Sequence, residues 1–391
     1  MKKSLLVFVP LLILMLVFTG CNKAAEPTPV IEDPVDEGPA YKIGIMTGTV
    51  SQNEEEYRSA EKMKEKYGDM IITTTHPDNF NTEQETTISN MVAMAMDDKV
   101  KVIIMNQAVL GAAAAIDRVR EIRPDMLFIL SHAAEDPDVI ASKADIILTT
   151  DTIKRGTSII EQAHKMGAKK FVHYSFARHL SYESIVKRLA IFKETAERLG
   201  IEFIEADAPD PTGDAGVSGT QQFMMEDIPR KVKEYGKDTA FFGTNCAMME
   251  PMIKQSVENG AIFPVQCCPS PYHALPGALG IEIPEDKKGD VKWLLSEIDS
   301  KLADTEADGR VATWPVPVSM LSTEVGVEYG ILYCEGKTDG KLDVDKIKEI
   351  FEEKSGVSIS LNKWISNITD EPLENYLMIH LDYYTFGTKA E

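Results

Sequence analysis

Positive charge is scarce in this 391-residue chain: 41 Lys and Arg face 62 Asp and Glu, a formal net charge of −21. Such a field repels nucleic acid, whose binding depends on neutralising phosphates with Lys and Arg, so no nucleic-acid partner is expected. It equally disfavours flat adsorption to anionic lipid. Cysteine is rare, with five residues at 21, 246, 267, 268 and 334. That is too few, with two of them adjacent, for a disulfide framework; Cys246, Cys267, Cys268 and Cys334 are expected to be buried free thiols. No C-x-x-C or H-x-x-x-H spacing occurs, so the arrangement of Cys246, Cys267, Cys268 and His273 along the chain does not signal a closed zinc site. The phosphate-cradling G-x-x-x-x-G-K loop and the G-x-S-x-G nucleophile elbow are both missing. Nothing in the spacing supplies Cys246 with an activating base and an orienting third group. The expectation is therefore a protein with no cofactor, no metal and no catalytic constellation.

Long apolar runs are also lacking, with one exception at the start. Residues 5–18 are almost wholly apolar, broken only by Pro10, and follow Lys2 and Lys3. This stretch is too short to span a bilayer comfortably and has the length of a signal-peptide apolar region. It ends in Phe18, Thr19, Gly20 and Cys21. Small residues immediately before a cysteine suit a lipoprotein peptidase, and the segment resembles a bacterial lipobox, with Phe18 where Leu is usual. Residues 1–20 are accordingly expected to be removed and Cys21 to carry lipid, a membrane anchor with palmitate-type chains, leaving a mature charge of about −23 once Lys2 and Lys3 are gone. Residues 21–40 hold several prolines and acids with no apolar period and read as an extended tether.

What is present from Tyr41 onward is an alternation of short apolar runs and amphipathic helices. Residues 41–46, 70–75, 100–105, 126–130 and 145–150 read as strands. Between them, residues 54–67 place Tyr57, Ala60, Met63 and Tyr67 on one helical face, and Thr82 with Glu85 forms a capping-box pattern. The same grammar resumes with strands at 170–174, 202–206 and 239–243 and with helices closing on Gly167, Gly200 and Gly260. Strand–helix alternation implies parallel sheets with helices on both faces and all strand C-termini along one edge. The expectation is α/β, with two Rossmann-like lobes: residues 41–153, then residues 154–284, then a C-terminal segment, 285–391, whose helices return across the lobes. Residues 314–317 (WPVP) cannot be a central strand and suit a crossing between lobes. Residues 320–333 read as a helix, and the remainder as irregular.

The order of several short stretches then carries a resemblance. Residues 42–48 (KIGIMTG), 51–56 (SQNEEE), 104–107 (IMNQ), 149–151 (TTD), 242–245 (FGTN) and 258–260 (ENG) together resemble the type I periplasmic binding proteins. Among these the chain is similar to the basic membrane protein group of nucleoside-binding lipoproteins, and closer still to an uncharacterised bacterial lipoprotein family related to them. The nucleoside binders' Asp-Gly-Phe-Asn-type signature is replaced by Ser51, Gln52 and Asn53. The resemblance implies a ligand cleft between the lobes, a small polar ligand such as a sugar or nucleoside, and delivery to an ABC permease at the extracytoplasmic face. A lipoprotein that senses a similar ligand for a membrane receptor, or a surface hydrolase, is the alternative.

In that architecture, polar residues just beyond strand ends line the cleft. The candidates are Thr47, Thr49, Asn53, Asp78, Asn79, Asn106, Gln107 and His132 from the first lobe, with Asp151 at the crossing. Ser175, Arg178 and Asn245 come from the second lobe, and Trp314 offers a face for stacking. Amides and carboxylates can form paired hydrogen bonds to hydroxyls, and a guanidinium suits a carboxylate or phosphate.

Overall fold

A computed structural model describes residues 38–50, 54–211, 213–303 and 305–387. Cys21 and Asn53 lie outside the described residues, as does the region of the expected signal peptide and nearly all of the tether. Among the described residues, no helix is long and apolar enough to cross a membrane.

The first lobe is built on a seven-stranded sheet. Its strands are β1 (Lys42–Thr47), β2 (Ile71–Thr75), β3 (Val100–Asn106), β4 (Leu127–Ser131) and β5 (Ile146–Thr150), all parallel. The second lobe holds β6 (Lys170–Ser175), β7 (Glu202–Asp207) and β8 (Thr239–Gly243), again parallel, and the short β9 (Ala312–Thr313). Two further strands, β10 (Ile359–Ile365) and β11 (Pro372–Leu381), return to the first sheet, and β12 (Tyr384–Thr385) pairs with β9. The order in the large sheet is β10-β11-β5-β4-β3-β1-β2, and in the smaller one β7-β6-β8. Parallel bridges from Ala240 to Ile262 and from Phe263 to Val311 extend the smaller sheet toward β9.

The apolar runs are continuous because both faces of each sheet are covered, as parallel sheets require. Every residue of β4 and of β8 is buried. Helix Glu54–Tyr67 spans the residues that its periodicity predicts. The helix after Thr82 does not use the expected capping box. It starts at Gln84 with no side-chain cap, the Thr82 hydroxyl donates to the Asn79 carbonyl, and Glu85 pairs with Arg118. Local pairing partners outcompete the reciprocal cap.

The residues beyond 334 differ most from the sequence reading. They form helix Val344–Ser355 and the β10–β11 hairpin rather than irregular chain. β11 pairs in parallel with β5, Leu377 opposite Leu148, and antiparallel with β10. Helix Val318–Cys334 packs on the same sheet; Cβ atoms at Gly326 and Gly330 would come within 3.2 Å of Ile104 and of Ile43 and Val102. Glycine there lets the helix backbone sit directly on the strands.

The chain passes between the two sheets three times: after β5, after β9 and after β11. Residues 314–317 are one of these passages. Side chains knot the three together. Ser158 meets both His380 Nε2 (2.7 Å) and Tyr383 Oη (2.9 Å), and the Arg155 guanidinium lies 5.6 Å over the Trp314 ring.

Candidate functional site

The C-terminal edges of the strands in both lobes open onto a cleft of about 1160 Å³. From the first lobe it is lined by Glu55 and Glu56 at the head of helix Glu54–Tyr67, by Gln107, His132 and Thr150 at strand ends, and by Ser319. From the second lobe come Cys246, Cys268, Ser270, Tyr272 and His273. One contact already bridges the walls: the Ser270 hydroxyl donates to the Glu55 carboxylate, at 3.0 and 3.1 Å from its two oxygens.

The structure sorts the sequence candidates. Gln107 and His132 line the cleft, both with positive φ (44° and 48°) that swings them off the ends of β3 and β4. His132 is held by Ser131 and Thr150, and burial lowers its pKa, keeping the ring neutral. The others make bonds within the protein. Asn106, fully buried, donates to the Ser319 carbonyl (2.6 Å) and the Thr323 hydroxyl (2.7 Å), tying β3 to helix Val318–Cys334. Asp151 accepts from the Lys154 amide (2.7 Å) and from Asn362 (2.6 Å), fixing the first passage between lobes.

Ser175 bonds Thr244, and Arg178 forms a two-pronged pair with Asp210 at 2.9 Å for each bond. Thr47 donates to the Gly48 carbonyl, Thr49 to Asp78, and Asn79 closes a turn onto Thr82. Asn245 accepts from the Ala247 amide (2.9 Å), capping the turn that carries Cys246. Trp314 is fully buried, edge-on to His380, so its ring offers no face to the cleft.

What sequence reasoning missed is the pairing of two acids with a thiol cluster. Burial raises the Glu55 carboxyl to about 7, with His273 and the Ser270 hydrogen bond pulling the other way. Burial, then the Glu55 charge, raises Glu56 to about 8. The run of three glutamates at 54–56, just past β1, was the available signal. Opposite them, the Cys246 sulfur lies 3.3 Å from that of Cys267 and 3.7 Å from that of Cys268. Together with His273 they place four ligand atoms within 4.8 Å of one another.

Cys246, Cys267, Cys268 and Cys334 are free, but Cys246 and Cys268 are exposed, which corrects the expectation of core thiols. Cys246 opens a single helical turn after β8 and Cys268 stands in irregular chain, both at the cleft wall instead of on apolar helix faces. Hydrogen bonds from Cys246 and then Cys267 hold the Cys268 thiol well below the usual range, so it is the natural thiolate of the group.

Comparison with known proteins is consistent with this architecture. A family model described as protein of unknown function, DUF3798, matches residues 41–312. An uncharacterised protein of Treponema pallidum (strain Nichols) is 32% identical over 173 residues, covering 44% of this chain and 80% of that protein. Among solved structures, a Clostridium difficile 630 protein provisionally described as a transcriptional regulator superposes with a TM-score of 0.78 at 25% identity. The match covers 88% of this chain and 99% of that one. A substrate-binding protein of a sugar ABC transport system from Bordetella parapertussis superposes with a TM-score of 0.51 at 10% identity, over 89% of each chain. The fold is that of the type I periplasmic binding proteins.

Proposed function

We propose that this chain, which belongs to the DUF3798 family, is an extracytoplasmic solute-binding protein, lipid-anchored at Cys21, that passes a small polar ligand to an ABC permease. The observation that carries the reading is the cleft: two lobes, three chain passages, and polar side chains converging from both walls. Closure requires only that the ligand bind the closed arrangement better than the open one. No bond need be made or broken, so a non-enzymatic role suffices. The fold shared with the Bordetella parapertussis substrate-binding protein supports the same class of activity. The anchor rests on the sequence of residues 1–21, where an apolar run meets Gly20 and Cys21.

A thermal-shift panel of sugars, nucleosides and small acids tests the reading. At least one class is expected to raise the unfolding midpoint, since a ligand at 100 times its Kd stabilises by about 2.7 kcal/mol. Replacement of Gln107 by Ala is expected to abolish that shift while leaving the unliganded midpoint nearly unchanged. A panel with no stabilising member, or a shift indifferent to Gln107, contradicts the proposal.

A further inference from the structure

We propose that Cys246, Cys267, Cys268 and His273 are the four ligands of a zinc site on the second lobe's wall of the cleft. The donor set is the three-cysteine, one-histidine set of zinc centres, and its geometry is close to formed. A tetrahedral ion with Zn–S bonds of about 2.3 Å separates its sulfurs by about 3.8 Å. The observed sulfur separations of 3.3 and 3.7 Å need adjustments of about half an ångström or less, and the four ligand atoms, within 4.8 Å of one another, need a contraction of at most about 1 Å at their widest.

The Nδ1 of His273 lies 2.8 Å from the Cys268 carbonyl, which can only accept, so the neutral ring carries its proton on Nδ1 and offers Nε2 as the ligand nitrogen.

The surroundings hold the ligands in place. Asn245 caps the turn that presents Cys246. Arg155, reaching in from the first passage between lobes, donates to the carbonyls of Gln266 (2.7 Å) and Cys267 (2.8 Å). The buried Gln266 amide donates to the carbonyls of Ser270 and His273, folding the loop so that both its ends face Cys246. Its oxygen accepts from Thr313 in β9. Across the cleft, Glu55 and Glu56 stand on the facing wall.

Coordination replaces thiol protons, which pass to buffer, and moves no electrons. Sulfur-rich donors favour zinc over the hard ions magnesium and calcium. This inference goes beyond the solute-binding reading and does not need it.

The test uses the full chain, reduced and stripped with chelator, titrated with Co2+ as a spectroscopic stand-in for Zn2+. One Co2+ per chain is expected, with a near-ultraviolet thiolate-to-metal band and intense visible bands of a tetrahedral site, all displaced by one equivalent of Zn2+. Cys246→Ser and Cys268→Ser should each weaken Zn2+ binding more than the roughly 100-fold that a supporting residue costs at most. His273→Gln should weaken it while keeping the thiolate band, and Cys334→Ser, on the first lobe, should change nothing. Melting curves in chelator confirm that each variant folds. Failure of the reduced protein to take up Co2+, or a thiolate band that survives replacement of all three cleft cysteines, overturns the inference. Either outcome leaves a sugar-induced thermal shift intact, so the two readings fail separately.

Discussion

Asn106 illustrates why polar residues at strand ends were easy to find and hard to interpret. An amide at the C-terminal edge of a parallel strand can face a ligand or can tie down the next element. Here it does the second, bonded on all sides within the protein. Asn106→Ala leaves the Ser319 carbonyl and the Thr323 hydroxyl without their donor, and should cost about 1–3 kcal/mol in denaturant melts.

Asp151 and Arg178 follow the same logic. Sequence shows that such residues stand at an edge, whereas partners such as Asn362 and Asp210 arrive from 211 and 32 residues away. Gln107 and His132 were legible because both stand on the cleft wall at the ends of β3 and β4, His132 with its ring held by Ser131 and Thr150.

Glu56 gives a pH signature. Its carboxyl is buried and raised from the usual 4.5 to about 8. A carboxyl whose folded pKa is raised stabilises the fold when protonated. That contribution is full below 4.5 and is lost as pH rises through about 8. In chelator, the thermal midpoint should therefore fall across that window. Glu56→Gln should flatten the fall and raise the midpoint at its alkaline end; an unchanged profile would show that Glu56 is ionised in the fold.

At the scale of elements, the first five strands and helix Glu54–Tyr67 were legible because burial on one face or both leaves a periodic signature in local sequence. β10 and β11 were not. β10 alternates buried and exposed positions at a sheet edge, and β11 begins at Pro372 with exposed polar residues. Its pairing with β5 bridges more than 200 residues, and nothing in the local pattern encodes that neighbour.

Helix Val318–Cys334 is apolar on nearly all sides because sheet and helices enclose it, and Gly330 sets how closely it approaches. Gly330→Val should lift the helix from β1 and β3 and destabilise by about 1–3 kcal/mol in thermal melts. The loop carrying Cys267, Cys268 and His273 depends on Gln266. Gln266→Ala should weaken Zn2+ binding by about 10–100-fold with the thiolate band retained, because the ligands remain but their support is lost.

At the scale of the molecule, the two-lobed architecture follows from strand–helix alternation repeated across a crossing, and this much the sequence conveys. The interlobe contact of Glu55 with Ser270, and the thiol group facing it, arise only when residues 215 positions apart meet. Short motif spacing is silent about such assemblies.

The proposed anchor makes a separate prediction. Cys21→Ser should shift the protein from the membrane to the soluble fraction and remove labelling by radioactive palmitate, without altering ligand stabilisation. Persistence at the membrane would overturn the anchor and leave the cleft untouched.

The central claim is that the cleft between the lobes holds a small ligand. Native mass spectrometry of the full chain, purified gently from its own host and compared with the same sample denatured, tests this most directly. The account predicts that the folded species, after chelator treatment to remove any metal, is heavier by one small polar molecule, which is released on unfolding. Identical folded and unfolded masses would contradict it.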